Sequence, residues 1–207
     1  MGFTSIYPSA DKEYIEKNIV KDKELGQAAN GFRICGMQTW ESGSPIKSTK
    51  EECRQLVEVD DIGRAFQRFF VASNPGDGIQ TLRGVLSRLH EIRRWFVDSV
   101  PRINSAGHCF FLASFPLIIL LSHVGFCRLV CCEARFLQQK RFHFFSSSLL
   151  ILYESSEVHC QQAQVGVHMI DFAHVQFQVS HLDQNCIDAL SSIISHGERL
   201  VHNLVTT

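Results

Sequence analysis

The chain has 207 residues, 45% of them hydrophobic and 20% charged, with 20 basic against 21 acidic side chains and a mean hydropathy of +0.00. That is one large domain, or one and a half small ones; it is long enough to bury a core, and its apolar fraction excludes wholesale disorder. A net charge of −1 leaves no electrostatic case for wrapping nucleic acid. The opening residues, Met1 to Pro8, lack a basic region followed by an apolar core and so do not read as a secretory signal; Ile6 stands where a myristoylation signal wants Ser or Thr. Cys35, Cys53, Cys109, Cys127, Cys131, Cys132, Cys160 and Cys186 have no zinc-site spacing and read as reduced intracellular thiols.

Residues 10–24 predict a charged helix, with a thin apolar stripe of Tyr14, Ile15 and Ile19 and a stop at Gly26. Gly31 to Trp40 alternates and predicts a strand with Phe32, Ile34 and Gly36 on one face. Residues 41–50 predict a loop. Asp60 and Asp61 can cap a helix whose apolar positions are Ile62, Phe66, Phe69 and Phe70. Asn74 to Gly78 predicts a turn. Ile79, Leu82, Leu86, Leu89, Ile92 and Phe96 then mark a long amphipathic helix with Arg83, Arg88, Arg93 and Arg94 outside. From Ile103 through Cys127 there is no Asp, Glu, Lys or Arg. Beyond it, Phe142–Tyr153 and Val165–Phe172 predict buried strands, and Leu182–Leu204 a closing helix. No internal repeat is visible.

Two segments carry chemistry. In His168-Met-Ile-Asp-Phe-Ala-His174 an Asp ends an apolar strand, a way to hold Mg²⁺ against phosphates that supply other oxygens; an Asp that merely caps a turn is the alternative. In Phe144-Phe-Ser-Ser-Ser-Leu-Leu-Ile-Leu-Tyr153, three hydroxyls enter an apolar strand, and buried hydroxyls need partners. Support for a metal or nucleotide and plain strand-edge hydrogen bonding both fit. Lys17 and Lys21, at i and i+4, share a helix face and can clamp a polyanion; a solvated face beside Glu13 is the alternative.

In this order, "SSLL" and "MIDFAH", with "GFRICGMQ" at 31–38, "LHEIRRWF" at 89–96 and "LDQNCIDALSSII" at 182–194, resemble the inositol polyphosphate kinase family, its multikinase branch above all. Cys186 and Asp188 or Ala189 stand where the family has an aromatic residue and Gly. The resemblance implies a two-lobed, protein-kinase-like α+β fold that uses ATP and Mg²⁺. It implies that Asp171 is the catalytic, metal-binding carboxylate and that Ser147 and Ser148 assist the nucleotide, Ser148 also the metal. Lys17 and Lys21 would lie on the substrate-binding helix and His174 near the inositol. Arg33 and His168 are further candidates for phosphate contact.

The expected activity is transfer of the ATP γ-phosphoryl group to an inositol polyphosphate hydroxyl, by a monomer of nucleus and cytoplasm that engages neither nucleic acid nor membrane. The family's P-x-x-x-D-x-K-x-G motif is absent, and Met1-Gly2 resembles the residues immediately after that motif's Lys. The expectation is therefore an incomplete kinase domain over 1–207, its N-terminal lobe and motif upstream, with impaired activity. Residues 97–132 read as an atypical apolar insert, translated from a retained intron. A membrane helix over Ile103–Cys127, which Pro116 weakens, and a buried core helix are the competing readings. The alternatives in function are a non-catalytic remnant that binds inositol phosphates or a protein partner, and a single-pass membrane protein.

Overall fold

The computed structural model describes residues 1–41, 44–72, 77–97, 142–154 and 164–206. Helix α1 (Lys12–Glu24) begins where Asp11 accepts the Tyr14 backbone N–H at 2.7 Å, and Gly26, at φ 70°, turns the chain out of it. Its buried face is polar, made of Asn18 and Asp22. Of the expected apolar stripe, Tyr14 and Ile15 are half-buried, whereas Ile19, 55% exposed, faces outward. A single turn, α2 (Gln27–Asn30), follows.

The strand expected over 31–40 forms only at its end, as β1 (Gln38–Glu41), antiparallel to β2 (Ser44–Lys47) with Trp40 opposite Pro45. Gly31 takes φ 75°, and residues 32–36 pair with no described strand; Phe32 is instead buried in the core. The expected loop at 41–50 thus contains β2 and the start of α3 (Lys50–Arg54). That helix is nucleated by a reciprocal box, in which Thr49 N–H donates to Glu52 at 2.8 Å and Glu52 N–H donates to Thr49 Oγ1 at 3.1 Å. Helix α4 (Val59–Phe66) is capped by Glu58, not by Asp60 or Asp61; Asp61 is its third residue and accepts the Glu58 N–H at 3.3 Å. The chain then widens into a π turn, Gln67–Ala72, where Phe69 and Phe70 lie 5.1 and 6.1 Å from the Tyr153 ring.

Two long helices form the core, as the periodicity predicts. On α5 (Gly78–Val97), Leu82, Val85, Leu89, Ile92 and Phe96 are at most 2% exposed, and they pack on Cys186, Ile187, Leu190, Ile193 and Ile194 of α6 (Gln184–Thr206). Each such aliphatic or aromatic side chain contributes about 1.5–3 kcal/mol. Gly197 marks the close approach of the two helices, because a Cβ there would stand 2.8 Å from Leu86 Cδ2. Arg93 reaches across to donate to Ser191 Oγ at 2.7 Å.

The apolar run 142–153 is not one strand. It breaks into β3 (Phe142–Phe145) and β4 (Ser148–Tyr153), and the following run ends at Ile170, giving β5 (Val165–Ile170) and a further strand, β6 (His174–Phe177). β3 pairs with β6 and β4 with β5, both antiparallel. Between the pairs Phe145–His174 and Ser148–Ile170, two residues on one side face three on the other. The extra residue makes a bulge-like kink, and Ser146 (φ 58°) and Asp171 (φ 63°) take the left-handed backbone that it requires. The stretch 97–132, apart from Val97 at the end of α5, and residues 74–76 of the expected turn lie outside the described residues. Among the described residues no helix is long and apolar enough to cross a membrane.

Candidate functional site

The kink gathers the predicted Ser and Asp residues. Asp171 follows the Ser148–Ile170 pair directly, is exposed, and has no hydrogen-bond or ion-pair partner among the described residues. Across the ribbon the three serines have three different environments. Ser146 Oγ donates to the Ser5 carbonyl at 3.5 Å. Ser147 is 1% exposed, its carbonyl accepts the Met1 amino group at 2.8 Å, and its own hydroxyl is buried without a partner among the described residues. Ser148 is half-buried at the first rung of β4. A single free carboxylate beside hydroxyls is a hard oxygen set, and among the described residues no three His, Cys, Asp or Glu side chains gather into a cage. That set fits Mg²⁺, which keeps few protein ligands and draws on phosphate oxygens, and does not fit a structural zinc.

A cationic group lies on the side of α1. Lys17 is exposed and Lys21 half-buried. Burial lowers the Lys21 ammonium below its usual range, the Arg33 guanidinium lowers it further, Lys17 adds to this, and Asp22 opposes. Arg33 therefore acts on Lys21, although sequence spacing alone could not place it there. Its Nη1 is buried and unpartnered among the described residues. Burial also lowers the Met1 amino group, with Arg33 adding to the effect against Cys35 and Cys186. Asp22 does not neutralise this group freely, since its carboxylate is taken up by the Ser5 N–H at 2.7 Å and the Ser5 hydroxyl at 2.8 Å. Gln27 completes the clip, donating to Ser5 Oγ at 3.0 Å and to the Gly2 carbonyl at 2.9 Å. Sequence reading missed these residues; the one available sign was Asn18 and Asp22 at i and i+4 on a helix whose other charged residues, Lys21 apart, are exposed.

His174 opens β6 opposite Phe145 and forms one wall of an open cleft of about 440 Å³, with Tyr7, Ser9, Gln176 and Phe177 among the others. His168 sits in mid-β5 opposite Leu150, and no described contact brings it to α1 or to Arg33. The kink, α1 and His174 are thus tied together through the segment 1–7: Ser5 bonds both Asp22 and Ser146, and Tyr7 stacks on His174.

The family model for inositol polyphosphate kinase matches residues 1–111 and 124–197, which include both α1 and the kinked ribbon. The chain belongs to the inositol polyphosphate kinase family. Inositol polyphosphate multikinase alpha of Arabidopsis thaliana is 28% identical over 212 residues, covering 94% of this chain and 60% of that protein. Inositol polyphosphate multikinase IPK2 of Oryza sativa subsp. japonica is 24% identical over 204 residues, covering 90% and 55%. The chain thus spans 55–60% of the length of these relatives. A solved inositol phosphate multikinase aligns with a TM-score of 0.69 at 24% identity, over 97% of this chain and 76% of that one. The inositol phosphate multikinase of S. cerevisiae, solved in complex with ADP and Mn²⁺, aligns at 0.61 and 18% over the same shares. These likenesses establish the α+β multikinase fold. The family match breaks only over residues 112–123, inside the stretch 97–132.

Proposed function

We propose that this chain carries the metal-binding and substrate-binding part of an ATP-dependent kinase that phosphorylates inositol polyphosphates. The observation that carries the reading is the kink: directly after the Ser148–Ile170 pair it leaves Asp171 in a left-handed backbone, exposed and unpaired among the described residues, across the ribbon from Ser147, whose buried hydroxyl has no partner among them. In this reading Asp171 and Ser148 hold the divalent metal, and Ser147 supports the nucleotide. A bound Mg²⁺ supplies charge neutralisation of the transferring phosphoryl group.

The chain's own residues do the rest. Lys17, Lys21 and Arg33 bind the phosphates of the inositol and fix its orientation. Partial burial of Lys21 strengthens that attraction, because the local dielectric is below that of water. His174, at the cleft edge with no hydrogen bond among the described residues, has ring nitrogens free to meet a substrate hydroxyl or phosphate. The fold positions charge and contributes no covalent chemistry, as phosphoryl transfer requires. A binding-only role is the second reading; the observation favouring it is that none of the described contacts of Lys21, Arg33 and the Ser5–Asp22–Gln27 clip involves Asp171.

Two measurements on the whole chain separate these readings. The first is Mn²⁺ electron paramagnetic resonance with ADP, where wild type should immobilise Mn²⁺ and Asp171→Asn should lose that signal. Equal Mn²⁺ binding by both proteins refutes the metal assignment. The second is phosphate transfer from labelled ATP to inositol trisphosphate. Turnover that Asp171→Asn abolishes supports the kinase, and binding of inositol trisphosphate without any turnover supports the binder.

A further inference from the structure

We propose that Tyr7 is the positioning residue of the substrate site, holding the His174 imidazole at a fixed angle to the α1 cations. The proposal rests on the reading of His174 as a substrate-facing residue. Among the described residues the imidazole has no hydrogen bond, so nothing polar sets its tautomer or its tilt. Its orientation comes from rings. Tyr7 stacks on it with centroids 4.4 Å apart and planes 13° from parallel. Tyr14 of α1 meets it edge-on at 5.9 Å and 66°, and meets Tyr7 at 5.1 Å. Three rings from three elements thus interlock: the N-terminal segment, α1 and β6.

Tyr7 can direct His174 only if its own place is fixed, and five hydrogen bonds fix it. Ser5, two residues earlier, is clipped by its N–H and hydroxyl to the buried Asp22. The Ser5 carbonyl takes the Tyr14 hydroxyl at 3.3 Å and the Ser146 hydroxyl at 3.5 Å. On the other side the Tyr7 carbonyl accepts the Ala10 N–H at 3.0 Å, closing a turn. The segment is therefore held to the substrate helix and to the kink at one point, with the Tyr7 ring just beyond it. Tyr14 lies three residues before Lys17 and seven before Lys21, so it shares their side of α1. The stack consequently sets the separation between the lysine face and the imidazole. A ring fits this task better than an aliphatic side chain: it has two rotatable bonds, it is planar, and it prefers offset stacking.

A merely structural Tyr7 would support the fold and nothing more, and a double-mutant cycle read by inositol trisphosphate affinity tells the two apart. Tyr7→Ala should weaken binding roughly threefold to tenfold, the range of one aromatic pair. Tyr7→Phe, which keeps the ring face, should restore it. In a His174→Ala background, Tyr7→Ala should have no further effect. Nuclear magnetic resonance of the His174 ring protons in the free chain supplies a readout independent of substrate. They should be shifted upfield in wild type and Tyr7→Phe and return to ordinary positions in Tyr7→Ala, with the α5 and α6 amides unmoved. Equal weakening by Tyr7→Ala in both backgrounds, or His174 protons indifferent to Tyr7, overturns the proposal. A wild-type chain that binds no inositol trisphosphate while its His174 protons follow Tyr7 overturns the substrate reading, and with it any positioning role.

Discussion

Asp183 is where the site ribbon meets the core, and removing its carboxylate tests how the two are joined. It is 2% exposed at the N-terminus of α6. One oxygen accepts the Cys186 N–H at 3.0 Å and caps the helix; the other accepts the Phe144 N–H at 2.7 Å and anchors β3. Asp183→Ala loses the cap, about 1 kcal/mol. It also leaves the part-buried Phe144 N–H without its acceptor, about 1–3 kcal/mol. Relief of the buried carboxylate offsets part of this, so the expected net loss is about 2 kcal/mol. With a urea m-value of about 2 kcal/mol/M, the midpoint followed by circular dichroism at 222 nm should fall by about 1 M. Asp183→Asn keeps the cap and turns an amide N–H toward Phe144, so it should fall part of the way. An Asp183→Ala midpoint within about 0.2 M of wild type would refute the reasoning, since water would then have replaced both acceptors. The pH dependence gives a further check. Burial raises the Asp183 carboxyl above its ordinary range, with the two backbone N–H bonds and the nearby His143 and His181 pulling it back. In the window between the unfolded and the raised folded value, the folded chain keeps a proton that the unfolded chain has released. The Asp183 contribution therefore grows as pH falls through the folded value and is complete below the unfolded one. The stability of wild type relative to Asp183→Asn should rise across that acidic window.

Gly78→Ala should destabilise the chain by about 1–3 kcal/mol even though alanine favours helices. A Cβ there would stand 2.5 Å from the Phe70 carbonyl oxygen and 2.9 Å from Val71 Cα, backbone atoms that cannot swing aside; a raised urea midpoint would sink the argument. Iodoacetamide labelling followed by peptide mass mapping should modify Cys35 in the native chain, and Cys53 and Cys186 only in urea. Cys35 is exposed, whereas Cys53 and Cys186 are buried and burial pushes both thiols up. Native labelling of Cys186 as fast as Cys35 would show that the first turn of α6 opens.

The parts of this fold that were legible in the sequence are those whose pattern repeats over many residues. Helices α5 and α6 show it: each spends four or more turns against the other, so the apolar period is long. The ribbon was legible as apolar and extended but not as kinked. A bulge is one extra residue with a left-handed backbone, and neither Ser146 nor Asp171 advertises that in its side chain. The alternation of Phe32 and Ile34 mimicked a strand because extended chain anchored by side chains has the same period as chain anchored by a ladder. Helix α3 announced itself through Thr49 and Glu52, a signal overlooked among polar neighbours. In the candidate site, Asp171, Ser147 and Ser148 stood out as an Asp at a strand end and hydroxyls in an apolar strand, and the family resemblance gave them their expected roles. The Ser5–Asp22–Gln27 clip and the Tyr7 stack were not readable at all, because they depend on which distant residues meet.

The tie between the first residues and α6 has a consequence for the order of assembly. Phe3 N–H donates to Asn185 Oδ1 at 2.7 Å across 182 residues of sequence, and Asn185 donates to the Thr4 carbonyl at 3.2 Å. On the ribosome, the residues that hold Tyr7 and the lysine helix are made well before Asn185, which follows Phe3 by 182 residues. Until then the backbone of Phe3 and Thr4 has only water to bind, and bringing it to Asn185 means closing a loop nearly as long as the chain. The local α5 helix can form as it is made, but the cluster around Ser5 must wait. The two faces of the site therefore come together as a late step of folding, after the core that supports them has been synthesised.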